Sequence, residues 1–380
     1  MVKNKIYKYL SAEILKNFTI ILLTFTIIAW TVRAVNFLDL MIEDGYSGVT
    51  YFQYSLLNIS TIITRFIPLS YLLSLIISIT KFERQQELLI LWTAGLNKIK
   101  IANIFLFISF FLVFIQILLG LIINPLTLNK SRTLLRETEI TQINSLIKSN
   151  DFSDAFKGLT FYVDKKNENN ELINIFIRDN SGSLKASLTK NDNSNNTTIF
   201  AKKGVIVKNK LILFNGTIQT INKKNEIKNI NFEKNELSTT EFSTRTIMQP
   251  KIQETSSLIL FKCLINKKLE EILQNCSLNK SKKNAIEAMS RRVGMPLYIP
   301  LISTIASFLL IYKRERKYNF VKKYIVFSLA FIILILAEIL LKYSGFSTAN
   351  FMIYIFLPFF LFLILYYLLI KNMSTERIVR

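Results

Sequence analysis

Six apolar runs, set three and three around a polar insert, constrain this chain more than any other feature. Phe18–Leu38, Ser55–Ile79 and Ile99–Ile123 precede the insert, and Val293–Tyr312, Tyr324–Leu341 and Phe351–Ile370 follow it. A helix needs about 20 residues to cross ~30 Å of hydrocarbon, and each run approaches or exceeds that length. The expected fold is membrane α-helical, with six transmembrane helices (3+3) and an inserted domain. Residues 1–125 carry helices one to three, residues 126–290 the insert, and residues 291–380 helices four to six. The first run is too long for a cleavable signal and no small-x-small site follows it, so it reads as a retained span.

Charge placement orients these spans. The formal net charge of +22 is discounted, because abundant Lys, Asn, Ile and Phe are also what an AT-rich genome produces. Seventeen Lys and Arg fall in Met1–Asn17, Lys81–Lys100, Lys313–Lys323 and Lys371–Arg380. The opposite loops, Asp39–Tyr54 and Tyr343–Asn350, hold none, and the first carries Asp39, Glu43 and Asp44. By the positive-inside rule both termini are cytoplasmic and the insert is external.

The insert reads as β-structure on helical stalks. Short runs at Leu159–Val163, Leu172–Ile177, Thr197–Ala201, Val205–Val207, Leu211–Phe214, Thr217–Ile221 and Ile227–Phe232 are separated by turn-like Asp-Asn-Ser-Gly, Lys-Lys-Gly, Asn-Gly and Lys-Lys-Asn-Glu. That spacing predicts an all-β antiparallel sandwich or jelly roll. Leu126–Lys148 and Ser256–Met289 read as helices leading out and back, and Lys190–Thr198 as a loop. Cys263 and Cys276 both lie in the insert; a disulfide and two separate thiols are equally open.

Chemistry is scarce. With no histidine the commonest general base and metal ligand are missing. No phosphate-cradling loop and no Gly-x-Ser-x-Gly elbow occur. No catalytic, cofactor-binding or metal site and no nucleic-acid partner are therefore expected.

Charges in the apolar runs are the positive signal. Arg33, Arg65, Arg291 and Arg292 all fall on the outer half of the membrane in this topology, as do Glu338 and Lys342. A cation at mid-bilayer costs roughly 2.5–3.5 kcal/mol, so it faces a partner or a watery cavity. The four arginines make a candidate rim for the phosphates of an anionic lipid, since guanidinium binds phosphate as a fork. Interfacial anchoring explains Arg291 and Arg292 equally well, and Lys342 reads as a snorkelling residue paired with Glu338 four positions earlier. Pro68 reads as a kink in the second span.

On the cytoplasmic side, Lys81–Asn97 has a charged first half and an apolar second half, with Gly95 where a helix ends. It either lies in the interface or presents Glu83, Arg84 and Glu87 to a cytosolic partner while Leu88, Leu91 and Trp92 pack into a groove.

At this segment the chain resembles the LptF/LptG permeases of lipopolysaccharide export. The resemblance is carried by Glu87-Leu88 with Ala94-Gly95 after a proline-containing span. It continues in Phe161-Tyr162-Val163-Asp164, Ala201-Lys202-Lys203-Gly204, Asn215-Gly216 and Arg292 before Pro296-Leu297. It covers nearly the whole chain, and Phe37-Leu38-Asp39-Leu40 with Gly45 is more similar to LptF than to LptG. The resemblance implies a permease of the bacterial inner membrane with a periplasmic jelly roll. The implied partners are an LptG-like second permease, a cytosolic LptB-like ABC ATPase docking on residues 81–97, an LptC/LptA-like periplasmic bridge, and lipopolysaccharide or a related anionic glycolipid as cargo. Glu87 matches the family's acidic coupling residue, and Arg33 the basic lipid contacts near the outer end of the first span, which the family shows in the partner subunit particularly. Where members often carry a histidine beside the arginine that opens the fourth span, this chain has Ser290.

Three rival functions remain at this stage, one of them a membrane enzyme with no residue constellation to name. A lipoprotein-release type ABC permease would have four spans and its insert after the first. A membrane-anchored scaffold or sensor would use the β-domain to bind protein, with no need for six spans bearing charges.

Overall fold

The computed structural model describes residues 2–42, 46–141, 149–156, 158–167, 171–180, 196–207, 210–221, 227–238, 251–265, 279–311 and 316–378. Before the insert come helices α1 (Val2–Asn36), α2 (Asp39–Ile42), α3 (Gly48–Leu57), α4 (Ile59–Arg84), α5 (Glu87–Thr93), α6 (Lys98–Leu118) and α7 (Asn124–Thr141). The strands are β1 (Phe152–Phe156), β2 (Leu159–Lys166), β3 (Glu171–Asp179), β4 (Asn196–Val207), β5 (Lys210–Ile221) and β6 (Ile227–Ser238). Helices α8 (Ser257–Ile265), α9 (Asn279–Met289), α10 (Tyr298–Ser307), α11 (Arg316–Ser344) and α12 (Thr348–Ile378) complete the chain.

Among the described residues, six helical stretches are long and apolar enough to cross a membrane: Lys5–Ile42, Gly48–Arg84, Lys98–Leu135, Lys282–Leu310, Val321–Ser344 and Ala349–Ser374. One compact unit comprises residues 1–33, 57–129 and 251–380. Residues 251–265 and 279–290, read from sequence as part of the insert, thus group with the spans. At its centre lies α10, every residue of which is buried. Ser70, Ser74 and Ser78 recur every fourth residue on α4 and let α1 approach closely, as small residues do between membrane helices. The Ser74 hydroxyl donates to the Ile14 carbonyl at 2.7 Å, and Asn17 donates to the Ser78 hydroxyl at 2.8 Å.

Three prolines on the spans share one device. A proline has no N–H to give the carbonyl four residues earlier. Pro68 leaves Thr64 O, which accepts from Gln116 Nε2 at 3.0 Å. Pro125 leaves Leu121 O, which accepts from the Ser257 hydroxyl at 2.7 Å. Pro358 leaves Tyr354 O, which accepts from the Tyr298 hydroxyl at 3.4 Å. Each freed carbonyl is thus answered by a side chain from another segment, as the dry interior of a bilayer demands.

The second unit comprises residues 34–56 and 130–250. Its strands form one antiparallel sheet in the order β1-β2-β3-β4-β5-β6. The inserted all-β domain is there, but the described strands make a single hydrogen-bonded sheet rather than two. Lys-Lys-Gly and Asn-Gly, expected as turns, lie inside β4 and β5, so four expected strands become two. A Cβ on Gly204 would sit 2.4 Å from Ile175 Cδ1, and one on Gly216 would sit 2.2 Å from the Phe200 carbonyl oxygen. Close packing between strands, not chain reversal, requires these glycines.

A single sheet can still enclose a core if it folds over. Inward-facing positions alternate through Leu159, Phe161 and Val163, then Ile175 and Ile177, then Ile199 and Ala201. The alternation slips by one residue to reach Leu172 on β3 and Gly204 on β4, between Leu213 and Ile218 on β5, and before Leu237 on β6. The slips fall on cross-strand partners: Lys165 faces Ile173, Ile173 faces Lys203, Lys203 faces Phe214, and Phe214 faces Lys234. On this line Asn174 and Asn215 adopt φ of 52° and 49°. Strands that turn a corner in this way pass from one layer to the other, and both halves contribute to one apolar cluster. Cys276 and Lys190–Asn195 lie outside the described residues.

Candidate functional site

The half of the spans nearer the insert carries the charged cluster. Two π-helical turns, Leu119–Ile123 and Ser290–Gly294, lie back to back, and a Cβ on Gly120 would be 3.4 Å from the Arg292 carbonyl oxygen. Such turns are frequent at functional sites and re-aim the side chains they carry. Arg291 and Arg292, adjacent in one of them, have different surroundings.

Arg292 is buried and faces its own chain. Its Nη1 donates to the Ser257 hydroxyl at 2.6 Å, and its Nη2 to the carbonyls of Gln253 and Thr255, each at 3.0 Å. The guanidinium therefore clamps the segment that enters α8, with Nη1 and Nη2 engaged by its own chain. Arg292, expected on a lipid-binding rim, is thus turned toward Gln253, Thr255 and Ser257 of its own chain.

Arg291 makes a bidentate ion pair with Glu338, both N···O distances being 3.1 Å. Glu338 thus pairs across helices rather than with Lys342 on its own, a correction that follows from the fork geometry of guanidinium. Arg65 lies within electrostatic reach of Arg33, Arg291 and Glu338. Arg33 donates to the Thr61 hydroxyl at a long 3.4 Å. Among the described residues Arg33 and Arg65 form no ion pair. Three guanidiniums and one carboxylate so gather at one level of the spans, leaving a positive excess that can hold an anionic group. Nearby, the Ser344 hydroxyl donates to Ser290 at 2.9 Å, both residues being buried.

The opposite end of the spans holds the expected coupling segment, and it is not one helix. Helix α4 runs on through Arg84, the chain breaks at Gln86 with φ of 59°, and α5 starts at Glu87. Gly95, at φ of 78°, ends it, with Gly95 N–H donating to Trp92 O and Leu96 N–H to Leu91 O. Leu88 is buried, and Leu91 and Trp92 pack against the same apolar cluster. The apolar residues turned outward are Leu89 and Ile90, half or more exposed. Leu88, Leu91 and Trp92 are anchors here, not a free face. Glu83 is also engaged, bonded to Lys323 at the start of the fifth span at 2.6 Å. Glu87 accepts from the Tyr9 hydroxyl of α1 at 3.2 Å, and the neighbouring Glu13–Lys81 pair ties α1 to α4. Arg84 is exposed.

Sequence reading missed Tyr9 and Lys323 as partners of this elbow. The signal that could have found them is a carboxylate at a membrane boundary, which needs a donor from another segment. Among the described residues, no group of His, Cys, Asp and Glu could hold a metal ion.

Comparison with known proteins adds the family. Residues 8–372 match the family described as lipopolysaccharide export system permease LptF/LptG. The chain is also 24% identical over 173 residues to an uncharacterized protein of Rickettsia prowazekii (strain Madrid E), covering 46% of this chain. It spans about half of that relative, 48% of its length.

Proposed function

Because the chain belongs to the LptF/LptG family of lipopolysaccharide export permeases, we propose that it is the LptF-like subunit of an ABC exporter. Its cargo is lipopolysaccharide or a related anionic glycolipid, taken from the outer leaflet of the inner membrane. Both termini face the cytoplasm, where lysines and arginines concentrate. An LptG-like permease completes the lateral cavity, an LptB-like ATPase docks on the elbow, and an LptC/LptA-like bridge receives lipid from the β-domain. ATP is hydrolysed on the separate ATPase chain.

The observation that carries this reading is the unneutralised pair Arg33 and Arg65 beside the Arg291–Glu338 bridge. Lipid phosphates supply the negative charge that this cluster lacks, and guanidinium binds them through paired N–H groups. Arg291, already paired, sets the level of the cluster more than it binds cargo. At the far end, Arg84, Glu87, Leu89 and Ile90 form the exposed corner for the ATPase. The Tyr9–Glu87 bond leads from that corner to α1, and the Glu83–Lys323 pair to α11. Movement of the docked ATPase thereby reaches the first and fifth spans, which flank the lateral opening.

Photocrosslinking to labelled lipopolysaccharide from position 33 or 65 tests the cargo site. Arg33→Leu and Arg65→Leu should each lower lipid loading while insertion is retained; unchanged loading in both refutes the site. Glu87→Lys should weaken ATPase co-purification or coupling, and full transport by that variant would remove the docking role.

A further inference from the structure

A groove opens at the end of the spans away from the arginine cluster, between α1 and α6. Its volume is about 600 Å3, and Tyr7, Lys8, Ser11, Leu15, Lys100, Asn103, Ile104, Phe107, Ile108 and Phe111 line it. Both helices run away from the N-terminal side, so Lys8 and Lys100 sit at the same end. From Lys100 to Phe111 the helix rises about 16 Å at 1.5 Å per residue. That is half of the ~30 Å hydrocarbon core, the depth of one leaflet.

Chemistry divides along that depth. No carboxylate lines the groove, and its two formal charges are both positive. The Tyr7 hydroxyl is enclosed and has no hydrogen-bond partner among the described residues. Ser11 satisfies itself on the Tyr7 and Lys8 carbonyls, and Asn103 Oδ1 accepts from the Tyr366 hydroxyl at 3.1 Å. Below the lysines the walls are Leu15, Ile104, Phe107, Ile108 and Phe111, with Phe107 strongly exposed. Two ammonium groups over a leaflet's depth of apolar wall match one anionic phospholipid. Its phosphate would lie between the lysines and one acyl chain along α6.

We propose that this groove is a binding site for an anionic phospholipid of the leaflet on the N-terminal side, which the charge distribution makes the cytoplasmic one. The site is separate from the Arg33–Arg65 cluster and serves to hold α1 against α6 from below. The leaflet assignment rests on the charge distribution, and neither it nor occupancy rests on the export reading.

The test uses the full-length chain, stripped of lipid and titrated in zwitterionic nanodiscs with phosphatidylglycerol. Native mass spectrometry reads the bound lipid without ATPase or lipopolysaccharide. Lys8→Gln/Lys100→Gln should weaken retention about thirtyfold, corresponding to about 1 kcal/mol for each lysine at a membrane surface. Lys5→Gln/Lys371→Gln, an equal charge change on the same side, should leave it unchanged. Ile104→Trp, which fills the groove with both lysines intact, should also lower it. Equal retention by wild type and the lysine variant overturns the proposal. So does equal retention of phosphatidylethanolamine by the wild type. Loss of lipopolysaccharide crosslinking at positions 33 and 65 with phosphatidylglycerol retention intact would refute the export reading alone.

Discussion

Replacing Arg292 distinguishes a structural arginine from a lipid-binding one. The side chain makes three well-formed bonds, to the Ser257 hydroxyl at 2.6 Å and to the Gln253 and Thr255 carbonyls at 3.0 Å. The fourth, to Ile252 O at 3.4 Å, is too long to count for much. Bonds between membrane segments average about 0.6 kcal/mol and reach about 1.7 kcal/mol. Three of them give about 2–5 kcal/mol, with the upper half favoured because Thr255 is buried and its carbonyl would be orphaned. Arg292→Met should therefore lower the thermal stability of the detergent-solubilised chain and speed tryptic cleavage at Lys251, which opens the clamped segment. Arg292→Lys should fall between, since an ammonium cannot span the same acceptors as a planar fork. Arg65→Leu should leave both measurements near wild type. An Arg292→Met chain with unchanged melting and protease resistance, but with lipid loading lost, would refute the clamp.

Three further outcomes follow from particular contacts. Gln116→Leu should cost about 1 kcal/mol by orphaning Thr64 O, and less in a Pro68→Ala background where the helix supplies its own donor; equal costs in the two backgrounds, measured by thermal melts, would show that the bond does not matter. Gly216→Ala should destabilise the β-domain by about 3 kcal/mol, the high end of overpacking, because backbone oxygen cannot move aside; wild-type protease protection of the sheet would contradict this. The hydrogen bond from Lys234, aided by Lys210, holds the Glu236 carboxyl below its ordinary range. Its contribution is thus present above the unfolded value of about 4.3 and lost as pH falls through the depressed folded value; an NMR titration placing Glu236 at or above 4.3 would contradict the pairing.

Sequence carried the spans well because hydropathy over 20 residues needs no tertiary information. It carried the strands less well. Lys202-Lys203-Gly204 and Asn215-Gly216 have the composition of turns, yet each glycine serves an approach from a neighbouring strand that local sequence does not show. The elbow was misread for a similar reason. Helical spacing persists from Phe82 to Trp92, and nothing in the residue types marks the left-handed Gln86 that ends α4. The arginine cluster was half legible: Arg33, Arg65 and Arg291 stand out against apolar neighbours, whereas adjacency made Arg292 look equivalent to Arg291. Only their partners, Glu338 for one and the 253–257 backbone for the other, separate them.

The freed carbonyls bear on how such a bundle can move without exposing polar backbone to lipid. Thr64, Leu121 and Tyr354 give up helical bonds and take side-chain donors from Gln116, Ser257 and Tyr298. A helical N–H is fixed to its own axis, but a side-chain donor can follow a carbonyl that shifts or rotates. One of the three links bridges the π turns: Ser257 reaches Leu121 in one and is itself held by Arg292 of the other. The second, third and fourth spans are thereby joined by bonds that tolerate small displacements beside the arginine cluster. The α1–α4 seam, by contrast, rests on Ser74 and Asn17–Ser78 and the Glu13–Lys81 pair, which hold α1 at several levels. Displacement at the elbow should therefore carry α1 and α4 together as one body and be absorbed at the proline-freed carbonyls. A disulfide locking the Ser74–Ile14 contact should then leave transport intact, while one joining residues 116 and 64 should stop it.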